Sequence, residues 1–343
     1  MRAVVLTGHG GPEVLQVQER PDPPVGTGEV RIAVRAAGIN FADLLARSGV
    51  YPDAPAPPCV VGYEVAGEVE SVGEGVTDVA EGDRVIAPTR FGGYAELVTV
   101  PVSQAIPLPE DLGFEEGAAF PVNYGTAYAA LVVMAGAREG ERVLIHAAGG
   151  GVGIAATQLA KARGCEIFGT ASALKHDAIR EQGVDHPIDY RTLDFEEEVR
   201  RLTDGEGVDV ALDALGPRSF RKDYRLLRQG GRLVMYGYSE SDSAGARNLG
   251  ALATTLARMP FATIPWWRSL ALMNENKGVF GLNMLKWWDR ERGLERMIDP
   301  LRAELESGEL RPVVAESFPF DRAGDAHRYI AERRNVGKVV LAP

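Results

Sequence analysis

The feature that most constrains the fold of this 343-residue chain is a glycine-rich turn between an apolar run and an alanine-rich run. The stretch "VLIHAAGGGVGIAATQLA" covers residues 143–160 and contains four glycines. Such a turn lets backbone N–H groups approach a pyrophosphate without a Cβ atom in the way, and the helix that follows adds partial positive charge. Ala148 stands where the strict GxGxxG pattern has glycine. The turn still predicts a dinucleotide site, because it leaves a strand and opens a helix.

The flanking sequence predicts an α/β protein with two domains. From about residue 122, apolar strands such as "RVLIHAA" and "EIFGTA" alternate with helical runs such as "DFEEEVRRLTDG" and "SFRKDYRLLRQG", which is typical of a doubly wound parallel sheet. Residues 1–121 are short β-type runs separated by Gly and Pro, and 286–343 return to that pattern, so together they predict a barrel-like domain. Residues 122–285 form the nucleotide domain, with an apolar insertion near 240–275.

The residue at the end of the second strand indicates which dinucleotide binds. A site that prefers NAD has Asp or Glu about 20 residues after the turn, and here Ser172 stands there. No carboxylate would repel a 2′-phosphate, Lys175 can supply positive charge, and Tyr190 can stack or donate a hydrogen bond. We therefore expect NADPH as the cofactor; the alternative for Lys175 is an ordinary solvated lysine.

Composition excludes several classes of function. The 37 Lys and Arg residues against 48 Asp and Glu give a net charge of −11, which argues against a nucleic-acid partner. Cys59 and Cys165 form no CxxC pattern, so a reducing compartment is the simplest setting. The first residues contain no signal-peptide run, and the uncharged stretch 117–137 is interrupted by Pro121, which favours a buried helix over a membrane span. We expect a cytoplasmic protein.

Two further stretches carry a family resemblance. Residues 62–76, "GYEVAGEVESVGEGV", and residues 36–52, "AAGINFADLLARSGVYP", together with "EGDRV" and the glycine turn, resemble the medium-chain dehydrogenase/reductase superfamily over nearly the whole chain. The resemblance implies a GroES-like β-barrel domain beside a Rossmann domain, with the active site in the cleft between them.

The zinc ligands of the alcohol dehydrogenases in that superfamily are missing from this chain. Asn40 stands in the place of the ligand Cys and Tyr63 in the place of the ligand His, and neither an amide nor a phenol replaces them at zinc. The run of four cysteines that holds a structural zinc is also absent, and the five histidines have no ligand spacing. We expect no metal, which nearly excludes a plain alcohol dehydrogenase.

Among the zinc-free branches, "GINFADLLARSGVYP" is similar to the quinone oxidoreductases, and the C-terminal half is more similar to the vesicle amine transport protein homologues. The resemblance implies NADPH-dependent reduction of quinones or α,β-unsaturated carbonyls, hence a small apolar carbonyl substrate. It further implies a set of site residues. Those for the nicotinamide and substrate are Asn40, Tyr51 and Thr126; those for the pyrophosphate are Gly150, Gly151 and Val152; and those for the 2′-phosphate are Ser172, Lys175 and Tyr190. Those facing the cofactor from the end of a strand are Tyr236 and Gly237, and those closing over it are Phe280, Leu282 and Arg333.

Without a Lewis acid, hydrogen bonds must stabilise the oxyanion that develops on the substrate. Tyr51 and Asn40 carry the donors, a phenol OH and an amide NH2, and are the candidate catalytic residues. Tyr51 is either the proton donor or a wall of the pocket, in which case water delivers the proton. Glu64 and Asp43 are expected to tie barrel loops together rather than to transfer protons.

The insertion at residues 253–273 is apolar and contains Met259, Phe261, Trp266 and Trp267. Three roles remain open for it: a roof over the substrate, a dimer surface, or a contact with a membrane interface. The run "KGVFGLNML" reads as an edge strand, which in this superfamily commonly pairs across a dimer axis, so a homodimer is expected. A protein that binds NADPH and carries a lipophilic ligand with little turnover is the alternative function.

Overall fold

A computed structural model describes residues 1–51, 53–239, 269–288 and 295–343, and they form two compact units. The first unit contains residues 1–125 and 287–343, and the second contains residues 126–239 and 269–286. The predicted insertion, with Met259, Phe261, Trp266 and Trp267, lies outside the described residues; only its end, from Ser269, is described, as the start of a helix.

The first unit is built on two sheets. A three-stranded sheet has the order β2-β1-β4, and a seven-stranded sheet has the order β15-β16-β3-β5-β6-β8, with β7 also paired to β3. The strands are β1 Arg2–Leu6, β2 Leu15–Glu19, β3 Glu29–Ile39, β4 Cys59–Val60, β5 Glu64–Val72, β6 Arg84–Pro88, β7 Leu97–Pro101, β8 Ile106–Pro107, β15 Val314–Pro319 and β16 Lys338–Ala342.

The long strand β3 organises this unit. Its first half pairs with β7 and its second half with β16, both antiparallel, while β5 runs along its other edge. The C-terminal strand β16 thereby returns to the N-terminal half of the chain. Alternating buried side chains along β3, such as Ile32 and Val34, belong to one hydrophobic core, which is the pattern expected for a sheet with one face covered.

The helix that follows β3, α1 (Phe41–Ser48), is fixed at both ends. Asn40 precedes it in an extended conformation, and its backbone N–H donates to Asp43 Oδ2 at 2.8 Å. Gly49 ends the helix with φ 76°, a left-handed conformation that favours glycine. The other helices of the unit are short α2 Phe114–Gly117, the first part of α3 Pro121–Tyr128, and the segments Glu295–Ile298, Arg302–Glu306 and Ala323–Ala331.

The second unit is a six-stranded parallel sheet with the order β11-β10-β9-β12-β13-β14. Counted from its first strand, this is the order 3-2-1-4-5-6 of the Rossmann fold. The predicted GroES-like domain with a doubly wound Rossmann domain is confirmed. Its strands are β9 Arg142–Ile145, β10 Glu166–Ala171, β11 His186–Asp189, β12 Val208–Asp213, β13 Leu227–Met235 and β14 Gly278–Gly281.

Helices connect these parallel strands as crossovers. They are α4 Gly151–Ala162, α5 His176–Gln182, α6 Phe195–Leu202 and α7 Pro217–Leu226, and later segments are Ser269–Glu275 and Met284–Trp288. The expectation that one helix runs through "SFRKDYRLLRQG" is wrong in its last part. The helix ends at Leu226, and Leu227 already belongs to β13, where it pairs with Val208 and is buried.

The uncharged stretch 117–137 forms α3, which begins at Pro121, and continues as a π-helical segment, Ala129–Met134. Its side chains are largely buried, as expected for a helix inside the protein. Among the helices of the described residues, none is both long and apolar enough to cross a membrane. Among the described residues, strand β14 lies at the end of its sheet, so the predicted edge strand is confirmed for Gly278–Gly281. Its predicted last part is wrong, because Met284 and Leu285 belong to a helix. Pairing across a dimer axis stays a prediction.

Candidate functional site

The glycine turn lies between β9 and α4, at the centre of the parallel sheet. Gly150 caps α4 without a side-chain hydrogen bond, so the first N–H groups of this 12-residue helix have no side-chain cap. A Cβ atom on Gly153 would lie 2.3 Å from the Ala147 carbonyl oxygen, so only glycine fits there. Gly151 and Val152 are the first two residues of the helix. The turn thus presents bare backbone at a helix N-terminus, which suits an anion.

The side chain of Lys175 packs over this turn. A Cβ atom on Gly149 would lie 3.0 Å from Lys175 Cδ, in a short 3-10 helix that follows Ser172 at the end of β10. Tyr190, which follows β11, is 39% exposed. Asp189, just before it, accepts hydrogen bonds from Arg191 N at 3.1 Å and Thr192 Oγ1 at 3.0 Å, so this carboxylate is engaged within its own loop.

Five further predicted cofactor residues fall into two groups. Tyr236 and Gly237 follow β13, Phe280 lies in β14, and Leu282 follows it and donates its N–H to the Met235 carbonyl oxygen at 2.9 Å. These four therefore lie at the carboxyl ends of two neighbouring strands. Arg333 belongs instead to the first unit, where it follows a helix with φ 57°.

Thr126 lies on α3 and is buried. It completes the set of cofactor residues that the resemblance implies. Because this side chain is buried, Thr126 is not part of the protein surface.

A buried cluster that sequence spacing did not reveal lies at the carboxyl ends of β9 and β12. His146 Nε2 is 2.8 Å from Asp223 Oδ1, and Asp213 lies beside them; ligand-type atoms of all three are within 4.8 Å of one another. His146 Nδ1 also contacts Thr170 Oγ1 at 3.0 Å. All three side chains of the cluster are fully buried.

The two carboxyl groups of this cluster lie next to each other in the protein interior. Burial, and then the neighbouring Asp223, raise the pKa of Asp213 well above its ordinary value. Asp213 Oδ1 accepts the N–H groups of Leu215 and Gly216 at 2.5 and 3.2 Å. The cluster therefore links the end of β9, next to the glycine turn, to the loop that follows β12.

In the first unit, Asn40 is held by a buried ion pair. Lys338 Nζ donates to Asn40 Oδ1 at 2.6 Å, and Asn40 Nδ2 donates to Glu64 Oε1 at 2.9 Å; Lys338 and Glu64 also form an ion pair with each other. A lysine can only donate and an ionised carboxylate can only accept, so the two ends of the amide cannot exchange places. The second hydrogen on Asn40 Nδ2 remains for another acceptor.

Glu64 and Asp43 tie loops together, as expected. Glu64 Oε2 accepts the N–H of Val122 at the start of α3, at 2.7 Å. Asp43 accepts from the N–H of Asn40 and, through Oδ1, from the N–H of Gly62 at 3.1 Å; the Tyr94 hydroxyl donates to its Oδ2 at 3.0 Å. Burial raises the pKa of Asp43 to about 7 despite these donors.

Tyr51 and Tyr63 lie edge to face, with ring centroids 6.4 Å apart. Tyr51 is half-buried, and burial followed by the charge of Asp53 raises the pKa of its phenol. Tyr63 is only 6% exposed and also contacts the ring of Phe91, at 4.9 Å between centroids. The candidate residue Tyr51 therefore has a second phenol, Tyr63, as its neighbour in this unit.

Sequence reasoning missed Lys338 as a partner of Asn40. The two positions are 298 residues apart, and only the pairing of β16 with β3 brings them together. The available signal was weak: a lysine opens the strand "KVVLA", whose other residues are all apolar.

Comparisons with known proteins cover both units. Residues 26–110 match the family model "Alcohol dehydrogenase GroES-like domain", and residues 182–341 match "Zinc-binding dehydrogenase". The chain is 42% identical over 352 residues to the synaptic vesicle membrane protein VAT-1 homolog of Rattus norvegicus, an alignment that covers 100% of this chain and 84% of that protein.

Two solved structures extend this similarity to enzymes. The CurK enoyl reductase has 30% sequence identity and a TM-score of 0.85, covering 99% of this chain and 98% of that chain. The Escherichia coli quinone oxidoreductase complexed with NADPH has 30% identity and a TM-score of 0.83, covering 100% of both chains.

Proposed function

Because the chain belongs to the medium-chain dehydrogenase/reductase superfamily, a family of oxidoreductases, we propose that it is an NADPH-dependent reductase of quinones or α,β-unsaturated carbonyls that works without zinc. The enoyl reductase and quinone oxidoreductase among its structural neighbours support this reaction class. Bound NADPH supplies the hydride, and the protein holds the cofactor, receives the substrate and provides the proton.

The residues of the second unit fit a dinucleotide. Gly153 leaves no room for a side chain against the Ala147 carbonyl oxygen, so backbone alone lines the turn before α4. Gly151 and Val152 would hold the pyrophosphate through their N–H groups. Gly150 would contribute only its lack of a side chain, because its own N–H donates to the Ala147 carbonyl oxygen at 2.8 Å.

The observation that carries the proposal of NADPH over NADH is the position of Lys175. Its side chain packs against Gly149 in the turn, and Ser172 stands at the strand end where an NAD-specific site has a carboxylate. A 2′-phosphate bound here would meet an ammonium and a hydroxyl rather than a negative charge.

The residues of the first unit supply hydrogen-bond donors in place of a metal. Asn40 keeps one N–H beyond the bond it makes to Glu64, and the Tyr51 phenol is half-buried. A quinone or enone suits this set, because its developing negative charge is delocalised and needs less polarisation than that of a simple ketone.

Substitution of Lys175 tests the cofactor assignment. In Lys175→Ala, we expect the Michaelis constant for NADPH to rise about 10-fold or more, since an ion pair with a phosphate is lost, while that for NADH stays within about 2-fold. Lys161→Ala, in the last turn of α4, is the matched control and should change neither Michaelis constant. Equal effects of Lys175→Ala on both dinucleotides would contradict the 2′-phosphate assignment.

A further inference from the structure

The hydroxyl of Tyr63 is a buried polar group that the fold does not use. It makes no hydrogen bond within the described residues, although the ring is 6% exposed and lies between Tyr51 and Phe91. A buried hydroxyl without a partner destabilises the folded state, and phenylalanine would fill the same space without that penalty.

The neighbouring Tyr94 shows what a structural phenol looks like in the same unit. It is fully buried, and its hydroxyl donates to Asp43 Oδ2 at 3.0 Å. Tyr63 has the burial but not the bond. The carbonyl oxygen of Tyr63 accepts the Thr89 N–H at 2.7 Å, which holds the backbone of this residue, and the ring packs between Tyr51 and Phe91.

The side chain that Tyr63 can serve is Tyr51, whose ring faces it edge-on. Burial, Asp53 and Asp43 all raise the pKa of Tyr51, which makes it a weaker acid, and a hydrogen bond from the Tyr63 hydroxyl would lower that pKa. Tyr63 itself stays protonated, because burial and the charge of Asp43 raise its pKa far above the ordinary value. Tyr63 is thus a permanent donor beside a phenol that would otherwise be too weak an acid.

We propose that the Tyr63 hydroxyl donates a hydrogen bond to the Tyr51 oxygen as Tyr51 gives its proton to the reduced substrate. This rests on the reductase function proposed above. The O–H bond of Tyr51 breaks, its proton bonds to the substrate oxygen that became negative on hydride transfer, and the electron pair stays on Tyr51 as phenolate. Tyr63 stabilises that phenolate, and water returns the proton to Tyr51 after product leaves.

The hydrogen bond from Tyr63 is strongest when Tyr51 is a phenolate. It therefore stabilises the reacting complex more than it stabilises the resting protein. That explains why the Tyr63 hydroxyl is kept although it has no hydrogen-bond partner among the described residues. Tyr63 acts through Tyr51 and is therefore a positioning residue, whereas Tyr51 touches the substrate.

The test compares Tyr63→Phe, Tyr51→Phe and the double variant. Tyr63→Phe should lower kcat by about 10- to 100-fold, the range of one hydrogen bond to a charged group, with KM for the quinone within about 2-fold. Its high-pH limb of kcat should move to higher pH. In the Tyr51→Phe background, Tyr63→Phe should have no further effect on kcat.

Stability separates this role from a structural one. We expect the melting temperature of Tyr63→Phe to stay the same or to rise by about 2 °C, because an unsatisfied hydroxyl is removed. A structural role predicts the reverse: a lower melting temperature with an unmoved pH profile. Tyr329→Phe, a half-buried phenol that packs on Phe318 in the same unit, is the control and should leave kcat unchanged.

A second measurement needs no turnover. With 3-fluorotyrosine at position 51, the ¹⁹F resonance reports ionisation of that phenol, and Tyr63→Phe should shift its titration to higher pH. If no acceptor is reduced by the wild-type protein, the proposed function fails while this titration still decides the phenol pair. An unmoved titration, or an unchanged kcat in Tyr63→Phe of an active enzyme, would overturn the proposal.

Discussion

The Asn40 amide and the Tyr51–Tyr63 phenol pair lie in the same unit but differ in how their polar atoms are used. Lys338 and Glu64 bind the two ends of the amide, so its orientation is set by an ion pair. The Tyr63 hydroxyl, in contrast, is buried without a hydrogen bond within the described residues. One group is held rigidly by its neighbours, and the other retains unused bonding capacity.

This difference separates two tasks that a metal performs in the zinc-dependent relatives. A zinc ion both fixes the geometry of the site and stabilises negative charge on the substrate. In the proposed reaction, the charged pair behind Asn40 would fix the geometry of the site, and the phenol pair would stabilise negative charge as it develops. Groups of the first kind contribute to stability, whereas groups of the second kind reduce it, so substitutions should affect the two in opposite directions.

The largest expected effect follows from breaking the Lys338–Glu64 ion pair that holds Asn40. Lys338→Met leaves the Glu64 carboxylate buried and without its cation, so we expect the free energy of unfolding to fall by about 3–5 kcal/mol. Urea denaturation measures this. The double variant Lys338→Met with Glu64→Gln should recover part of the loss, because no charge is then left unpaired.

An exposed ion pair in the same sheet provides the matched control. Arg35 and Glu68 are 55% and 38% exposed, and Arg35→Met should change the free energy of unfolding by no more than about 1 kcal/mol. Similar losses for Lys338→Met and Arg35→Met would mean that the pair behind Asn40 is hydrated and does not fix the amide.

A smaller effect concerns the pH dependence of the unfolding free energy, to which Asp43 and His327 both contribute. Asp43 is buried and accepts hydrogen bonds from the N–H groups of Asn40 and Gly62. Burial, with the Arg47 charge, lowers the pKa of His327 to about 3, so its contribution to stability is present above pH 6.5 and is lost as pH falls. Burial raises the pKa of Asp43 to about 7, so its contribution is present below pH 3.8 and is lost as pH rises. In the wild-type protein these two slopes oppose each other.

His327→Gln removes the contribution of His327 to the pH dependence of the unfolding free energy and leaves that of Asp43. Relative to wild type, the variant should lose about 1 kcal/mol of unfolding free energy per pH unit as pH rises from about 4 to about 6. Denaturation at a series of pH values measures the difference. Parallel curves for the two proteins would show that His327 titrates in the folded protein as it does in water.

Most of the fold could be predicted because its signals are local. Strands β9 to β13 and helices α4 to α7 each correspond to a continuous apolar or amphipathic run, and their alternation predicts a parallel sheet. The end of α7 could not be predicted, since Leu226 and Leu227 are apolar in both patterns and only the pairing of Leu227 with Val208 separates them.

Candidate site residues could be named from the sequence where a short motif contains them, whereas contacts between residues far apart in the chain could not. Asn40, Tyr51 and the glycine turn are visible in short motifs. Lys338 and the His146–Asp213–Asp223 cluster are not, because each is assembled by strands and helices far apart in sequence. The difference between a satisfied Tyr94 and an unsatisfied Tyr63 is likewise a property of packing, which the sequence does not display.

The most direct test of the proposed function is steady-state oxidation of NADPH and NADH by the purified full-length chain in the presence of EDTA. The acceptors are 1,4-benzoquinone, 9,10-phenanthrenequinone, an enone and a simple ketone. We predict chelator-resistant turnover that is selective for NADPH and for the quinone or enone. Binding of NADPH without reduction of any acceptor would contradict the reductase and favour a carrier of lipophilic ligands, and turnover abolished by EDTA would contradict a zinc-free site.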